Sequence, residues 1–131
     1  MTSDARPAAA LTTKARGDAA ETQALAYLVA RGVVPLERNY RVARGPRARG
    51  GEVDPIVRDT DGTLVFVEVR ARRDARHGGA AASIGAVKQQ RLVFAARHFL
   101  RRFAAPPPCR FDVVTVEGDR IESLRAAFDA S

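Results

Sequence analysis

Thr63-Leu64-Val65-Phe66-Val67-Glu68-Val69-Arg70-Ala71-Arg72 is the stretch on which the fold turns. It is apolar at most positions, rich in β-branched residues, and preceded by turn-forming residues 59–62. A strand that is apolar on both faces must be covered on both, which predicts a central strand between two layers. Glu68 breaks its pattern. Burying an unpaired carboxylate there would cost several kcal/mol, on the order of the penalties for uncompensated polar groups. Strand alternation puts Arg70 on the same face, two residues on.

Upstream, residues 52–58 predict a second strand in which Glu52 and Asp54 share a face. Residues 43–51 combine glycine and proline with Arg44, Arg47 and Arg49, and so predict a hairpin tip. Before it, residues 33–42 alternate with period two and predict the first strand. Residues 1–10 read as a loose tail, and residues 11–131 as one domain. A first helix starts at the caps Thr12 and Thr13 and ends at Gly32, with Ala20, Ala24, Leu25, Leu28 and Val29 as its apolar stripe. Glu21 falls near the middle of that stripe.

Downstream, a Gly/Ala/Ser-rich loop carries His77, Gly78 and Gly79, which read as a plain connection. A second helix follows over residues 83–103, with Leu92, Ala95, Ala96, Phe99 and Phe103 inward and Lys88 aligned with them near its start. Three prolines, Pro106 to Pro108, stop it. Residues 109–116 predict a strand, Gly118-Asp119 a turn, residues 120–122 a short strand and residues 124–128 a terminal helix. The helical crossover makes the fourth strand parallel to the third. The expected fold class is α/β, a three-layer sandwich with a central mixed sheet of about five strands flanked by helices.

The 131 residues are 46% hydrophobic and 28% charged, ordinary values for a globular chain. A lone Cys109 excludes an internal disulfide and is expected to pack as a small apolar residue. With His77 and His98 it makes too few ligands for a structural zinc site, and both histidines are expected at the surface. No segment is apolar enough for export or for a bilayer, so a cytoplasmic protein without membrane contact is expected. The net charge of +7 favours polyanionic partners, although an Arg- and Ala-rich composition also fits a coding bias.

Two adjacent strands would bring Glu52, Asp54, Glu68 and Arg70 to one patch. Clustered carboxylates repel unless a cation sits among them, and hard oxygen ligands suit Mg²⁺ or Mn²⁺. Asp54 and Glu68 are the natural ligands. A purely structural Glu68–Arg70 ion pair, with Glu52 and Asp54 solvated, explains the same residues equally well. Inward-facing Glu21 and Lys88 add weight to one convergent polar site, unless both bend out to water at the margin of the core.

Gly17 to Glu21 ahead of a helix, Gly51-Glu52-Val53-Asp54, Val65-Phe66-Val67-Glu68-Val69-Arg70 and Arg110-Phe111-Asp112-Val113-Val114 together resemble the YraN family of bacterial proteins. The resemblance runs from about residue 11 to 128. That family is similar to Holliday-junction resolvases and restriction-endonuclease-like nucleases, whose sites pair an Asp with a Glu-x-Lys motif. The resemblance implies a restriction-endonuclease-like fold and a metal-dependent endonuclease acting on DNA, branched DNA included, in preference to RNA. Glu21, Asp54, Glu68 and Arg70 would be catalytic, Asp54 and Glu68 would hold the metal, and the Val69 carbonyl would complete its shell.

By the same resemblance Glu21 is the helix-one carboxylate, and a symmetric homodimer is expected. Arg44, Arg47, Arg49 and Lys88 are the nucleic-acid-binding candidates. Arg70 stands where such nucleases carry Lys, and Pro55 follows Asp54 where the family has an aliphatic residue. A guanidinium can neutralise phosphate charge but cannot act as a general base. Pro55 also removes a ladder donor, which predicts an edge or a bulge at that point. Two other functions remain open: a nucleic-acid-binding module that keeps the fold without turnover, and an interaction protein without a nucleic-acid role.

Overall fold

The computed structural model describes residues 12–46, 50–71 and 84–129. Helix α1, Thr13–Ala30, opens on Thr12, whose hydroxyl oxygen accepts from the Ala15 N–H at 3.0 Å. It closes through Gly32, which holds a left-handed φ of 92° that a side chain would oppose. Ala20, Ala24 and Leu28 are its buried stripe, as the periodicity predicts.

The two predicted strands of the N-terminal meander are each broken in two. Residues 33–42 form β1 (Val34–Glu37) and β2 (Tyr40–Val42), interrupted where Asn39 adopts a φ of 52°. The return strand forms β3 (Gly51–Val53) and β4 (Ile56–Arg58), interrupted at Asp54 and Pro55, where proline has no N–H to offer a ladder. Strands β1 and β4 join the main sheet, while β2 and β3 pair as a separate ribbon. Gly51 belongs to that ribbon and not to the hairpin tip. It lies beneath helix α2 (Ala86–Leu100), and a Cβ at this position would run into the Arg91 carbonyl oxygen.

The main sheet is completed by β5 (Leu64–Ala71), β6 (Cys109–Glu117) and β7 (Arg120–Phe128), in the order β1-β4-β5-β6-β7. Strands β5 and β6 are parallel, as the α2 crossover predicts, and the other neighbours are antiparallel. The alternation of β5 explains the layers. Val65 and Val67 pack with Ala20, Ala24 and Leu28 of α1, whereas Leu64 and Phe66 pack with Leu92, Ala95, Ala96 and Phe99 of α2. This is a mixed five-stranded sheet with a helix on each face, consistent with a restriction-endonuclease-like sandwich.

Two expectations are corrected. Residues 124–128 are strand, not helix: they continue β7 antiparallel to β6, with an irregular register between Phe111 and Val113. Tertiary pairing overrides the local preference of an Ala-containing stretch, because Phe128 stacks on Phe111 with ring centroids 4.7 Å apart. Cys109 is exposed at the start of β6 and does not pack as an apolar residue. His98 is exposed as expected, but its Nδ1 lies 2.6 Å from the Tyr40 hydroxyl. The tail at residues 1–10 and the loop carrying His77, Gly78 and Gly79 lie outside the described residues. Among the described residues no helix is long and apolar enough to cross a membrane.

Candidate active site

The last bond of the β4–β5 ladder runs from the Val67 N–H to the Pro55 carbonyl at 3.1 Å. The register that sets Ile56 opposite Phe66 is carried one residue further by this bond, to Pro55, and Asp54 follows beyond the paired residues. Each carboxylate is served by a different layer. Asp54 meets α1 and the β1–β2 connection, and Glu68 meets α2.

Asp54 is 9% exposed, and its Oδ1 accepts from Arg38 Nε at 2.6 Å. Its Oδ2 is buried without a hydrogen-bond partner. Beside it lies Glu21, one residue on from the fully packed Ala20. Burial is the main cause that lifts the Glu21 carboxyl to a pKa of about 7, and the negative charges of Asp54 and Asp18 add to it against Arg38. Two carboxylates therefore crowd one partly dry corner, with a single guanidinium between them and full repulsion.

Glu68 is 12% exposed, with Lys88 Nζ 3.4 Å and Arg70 Nη1 3.9 Å from the same Oε2. Burial raises its pKa, and Lys88 and then Arg70 oppose that rise. Glu52, on β3, also adds to it, while itself accepting from Arg91 Nη2 at 2.9 Å. Glu52 thus stays near Glu68 while pairing with Arg91, and Asp54 pairs with Arg38 on the α1 side instead of joining them in one patch. Lys88 reaches inward to a carboxylate. Of the tip arginines, Arg44 is exposed with its guanidinium 5.0 Å from the Phe94 ring centroid. Arg47 and Arg49 lie outside the described residues.

Arg38 and Arg91 are contributors that the sequence reading missed. Arg38 occupies the break between two strands, where alternation assigns no face. Arg91 follows Lys88 by one helical turn, a spacing that could have marked it as a second cation aimed at the same strands.

Among the described residues, no group of three or more His, Cys, Asp or Glu side chains is close enough to hold a metal ion. The corner at Glu21 and Asp54 nonetheless fits a hard cation: the buried Asp54 oxygen has no permanent donor, and the bond that Glu21 can make to it needs a proton that a cation would replace. The titration has a definite sign. The folded chain binds the Glu21 proton more tightly than the unfolded chain does, so this contribution to stability is full below pH 4.5 and is lost as pH rises through about 7. Glu21→Gln should remove that dependence. Between about pH 5 and about pH 7.5 the parent should lose about 1–2 kcal/mol relative to the variant in urea unfolding, a value reduced for screening at a partly exposed group. A difference that does not change with pH would show that Glu21 titrates normally.

The family model described as "Uncharacterised protein family UPF0102" matches residues 20–116. A UPF0102 protein of Methylibium petroleiphilum is 67% identical over 121 residues, covering 92% of this chain and 99% of that protein. A second, from Cupriavidus taiwanensis, is 56% identical over 117 residues, covering 89% of this chain and 85% of the relative. Among solved structures, the crystal structure of SSO0001 aligns with 90% of this chain and 54% of its own, at 16% identity and a TM-score of 0.46. The matched segment spans Glu21, Asp54, Glu68, Arg70 and Lys88, and by it and these identities the chain belongs to UPF0102, the YraN family.

Proposed function

We propose that this protein is a divalent-metal-dependent endonuclease acting on DNA. The observation that carries the reading is the buried Asp54 oxygen without a partner beside the Glu21 carboxyl. Asp54 and Glu21 would hold Mg²⁺ or Mn²⁺, while Glu68 serves the cations of the α2 side. Such an ion supplies a polarised phosphate and an acidified water at neutral pH.

The remaining roles belong to the chain itself. Arg38 fixes one Asp54 oxygen and so fixes the direction of the other. Glu68 holds Arg70 and Lys88 in place, and both can neutralise charge that builds up on a phosphate. Lys88 adds a second, compact cation beside Glu68, next to the arginine of the Glu-x-Arg motif. A second reading, a binding module without turnover, is favoured by one observation: Glu68 already has two cations beside it and needs no metal for neutrality.

A cleavage screen with Mg²⁺ and Mn²⁺ on duplex, single-stranded, flap and four-way DNA and on RNA tests the reading. Lys88→Met should slow cleavage by about a hundredfold, in line with loss of a charge that stabilises the phosphate in the transition state. Arg70→Ala should slow it less, by about tenfold, and should cost less than about 1 kcal/mol of stability because Lys88 still serves Glu68. No cleavage of any substrate, with DNA binding unchanged in both variants, would leave the binding module as the answer.

A further inference from the structure

Helix α2 uses one face for the core and leaves a second stripe that the candidate active site does not use. Gln89, Gln90, Val93, Phe94 and Arg97 recur at helical spacing on the side away from buried Leu92, Ala95 and Phe99. With Arg44 arriving from the β2–β3 connection, they line an open groove of about 470 Å³. That is within the range of ~300–1,000 Å³ typical of small-ligand pockets, and too small for a docked helix.

The chemistry of the lining is selective. The Arg44 guanidinium lies over the Phe94 ring, 5.0 Å from its centroid, and the two make a stacked aromatic and cationic platform. A nucleobase stacks on such a platform whatever its identity. The Gln89 and Gln90 amides both donate and accept hydrogen bonds, and the Asp129 carboxylate, also at the groove, accepts them. Gln89 is held in place by its Nε2, which donates to the Ile84 carbonyl at 3.1 Å. A paired base hides both its faces and its pairing edge, whereas an unpaired base offers all of them. Arg44 and Arg97 outnumber the single carboxylate, Asp129, in the lining of the groove, so its approach favours a phosphate backbone.

Lys88, adjacent in sequence to Gln89, reaches Glu68 on the other side of the helix. We propose that the α2 groove is a binding subsite for an unpaired base of single-stranded DNA, which it positions for the Glu68 edge of the candidate active site. The inference rests on the nucleic-acid reading above and makes it narrower, from DNA to an unpaired segment.

The test is equilibrium binding in EDTA of a fluorescein-labelled oligothymidine and of a duplex of equal length, so that metal and turnover play no part. Phe94→Leu keeps an apolar side chain against α2 and removes the stacking ring, and Phe94→Ala removes both. Each should weaken oligothymidine binding by about tenfold and duplex binding by no more than about twofold, as expected for loss of one stacking contact. Arg44→Ala should weaken the single strand in the same direction. Equal losses on both ligands, no loss, or a parent chain that does not bind oligothymidine would overturn the proposal. So would a change in sedimenting mass in Phe94→Leu, which would make the groove a contact between copies of the chain. Selective single-strand binding without metal-dependent cleavage would defeat the nuclease reading alone, and cleavage indifferent to Phe94 would defeat the groove alone.

Discussion

Asp54→Asn should reduce metal-dependent DNA cleavage by on the order of 10²–10³-fold, the scale of losing one preorganised electrostatic partner of a reacting group. The substitution keeps the shape of the side chain and places an amide where a buried carboxylate oxygen has no partner. Arg38 loses its ion-pair partner, at a cost of about 1 kcal/mol because the guanidinium is 37% exposed. The fold should therefore persist, and a second readout follows from the same charge. Asp54 is the largest charge effect that raises the Glu21 pKa, so Asp54→Asn should lower that pKa while Mn²⁺ affinity, measured by calorimetry, falls. Full cleavage by Asp54→Asn, or unchanged Mn²⁺ affinity, would remove Asp54 from the reaction.

Glu68 was legible in the sequence because it is the one carboxylate inside an apolar strand, and that strand's two-sided apolarity also announced the layers. The helix-borne partners were half legible. Helical period showed that Glu21 and Lys88 turn inward, but not which carboxylate each meets. That depends on the register of β4 against β5 and on the layer from which each helix approaches. Arg38 was invisible for a different reason: it sits where the strand pattern fails, and the failure itself creates its role by freeing it to reach Asp54. The terminal strand was misread because residues 124–128 carry little β signal of their own and take their form from β6.

The net charge of +7 also says less than it seems to. Arg38, Arg91, Arg102 and Arg110 are all drawn into ion pairs with carboxylates of the same chain. A phosphate backbone would meet the exposed cations near α2, where Arg44 stands over Phe94 and the helix carries no acid. The distribution of charge, more than its total, supports a nucleic-acid partner.

Arg110→Ala should destabilise the chain by about 3–5 kcal/mol, the cost of leaving a buried charge without its partner. Arg110 donates from Nε to both Asp112 oxygens at 3.0 and 3.1 Å and from Nη2 to Asp59 at 2.7 Å. Asp112 is only 4% exposed. Its Oδ1 also accepts from the N–H of Ala126, which has a φ of 52°, so one guanidinium organises the bond that shapes the end of β7. Against a total of about 5–15 kcal/mol for an ordinary domain, that loss is severe. The acid limb provides an independent check. The hydrogen bond from Arg110 is the chief cause that holds the Asp59 pKa below its ordinary 3.8, so its contribution is present above that value and is lost as pH falls through the folded pKa. Arg110→Ala should flatten this dependence in urea titrations. Arg110→Met with Asp112→Leu, which removes both charges together, should recover part of the loss even though Ala126 is left without its acceptor. A loss below about 1 kcal/mol in Arg110→Ala would mean that water enters and solvates Asp112, and β7 would then be held by its ladder and by Phe128 alone.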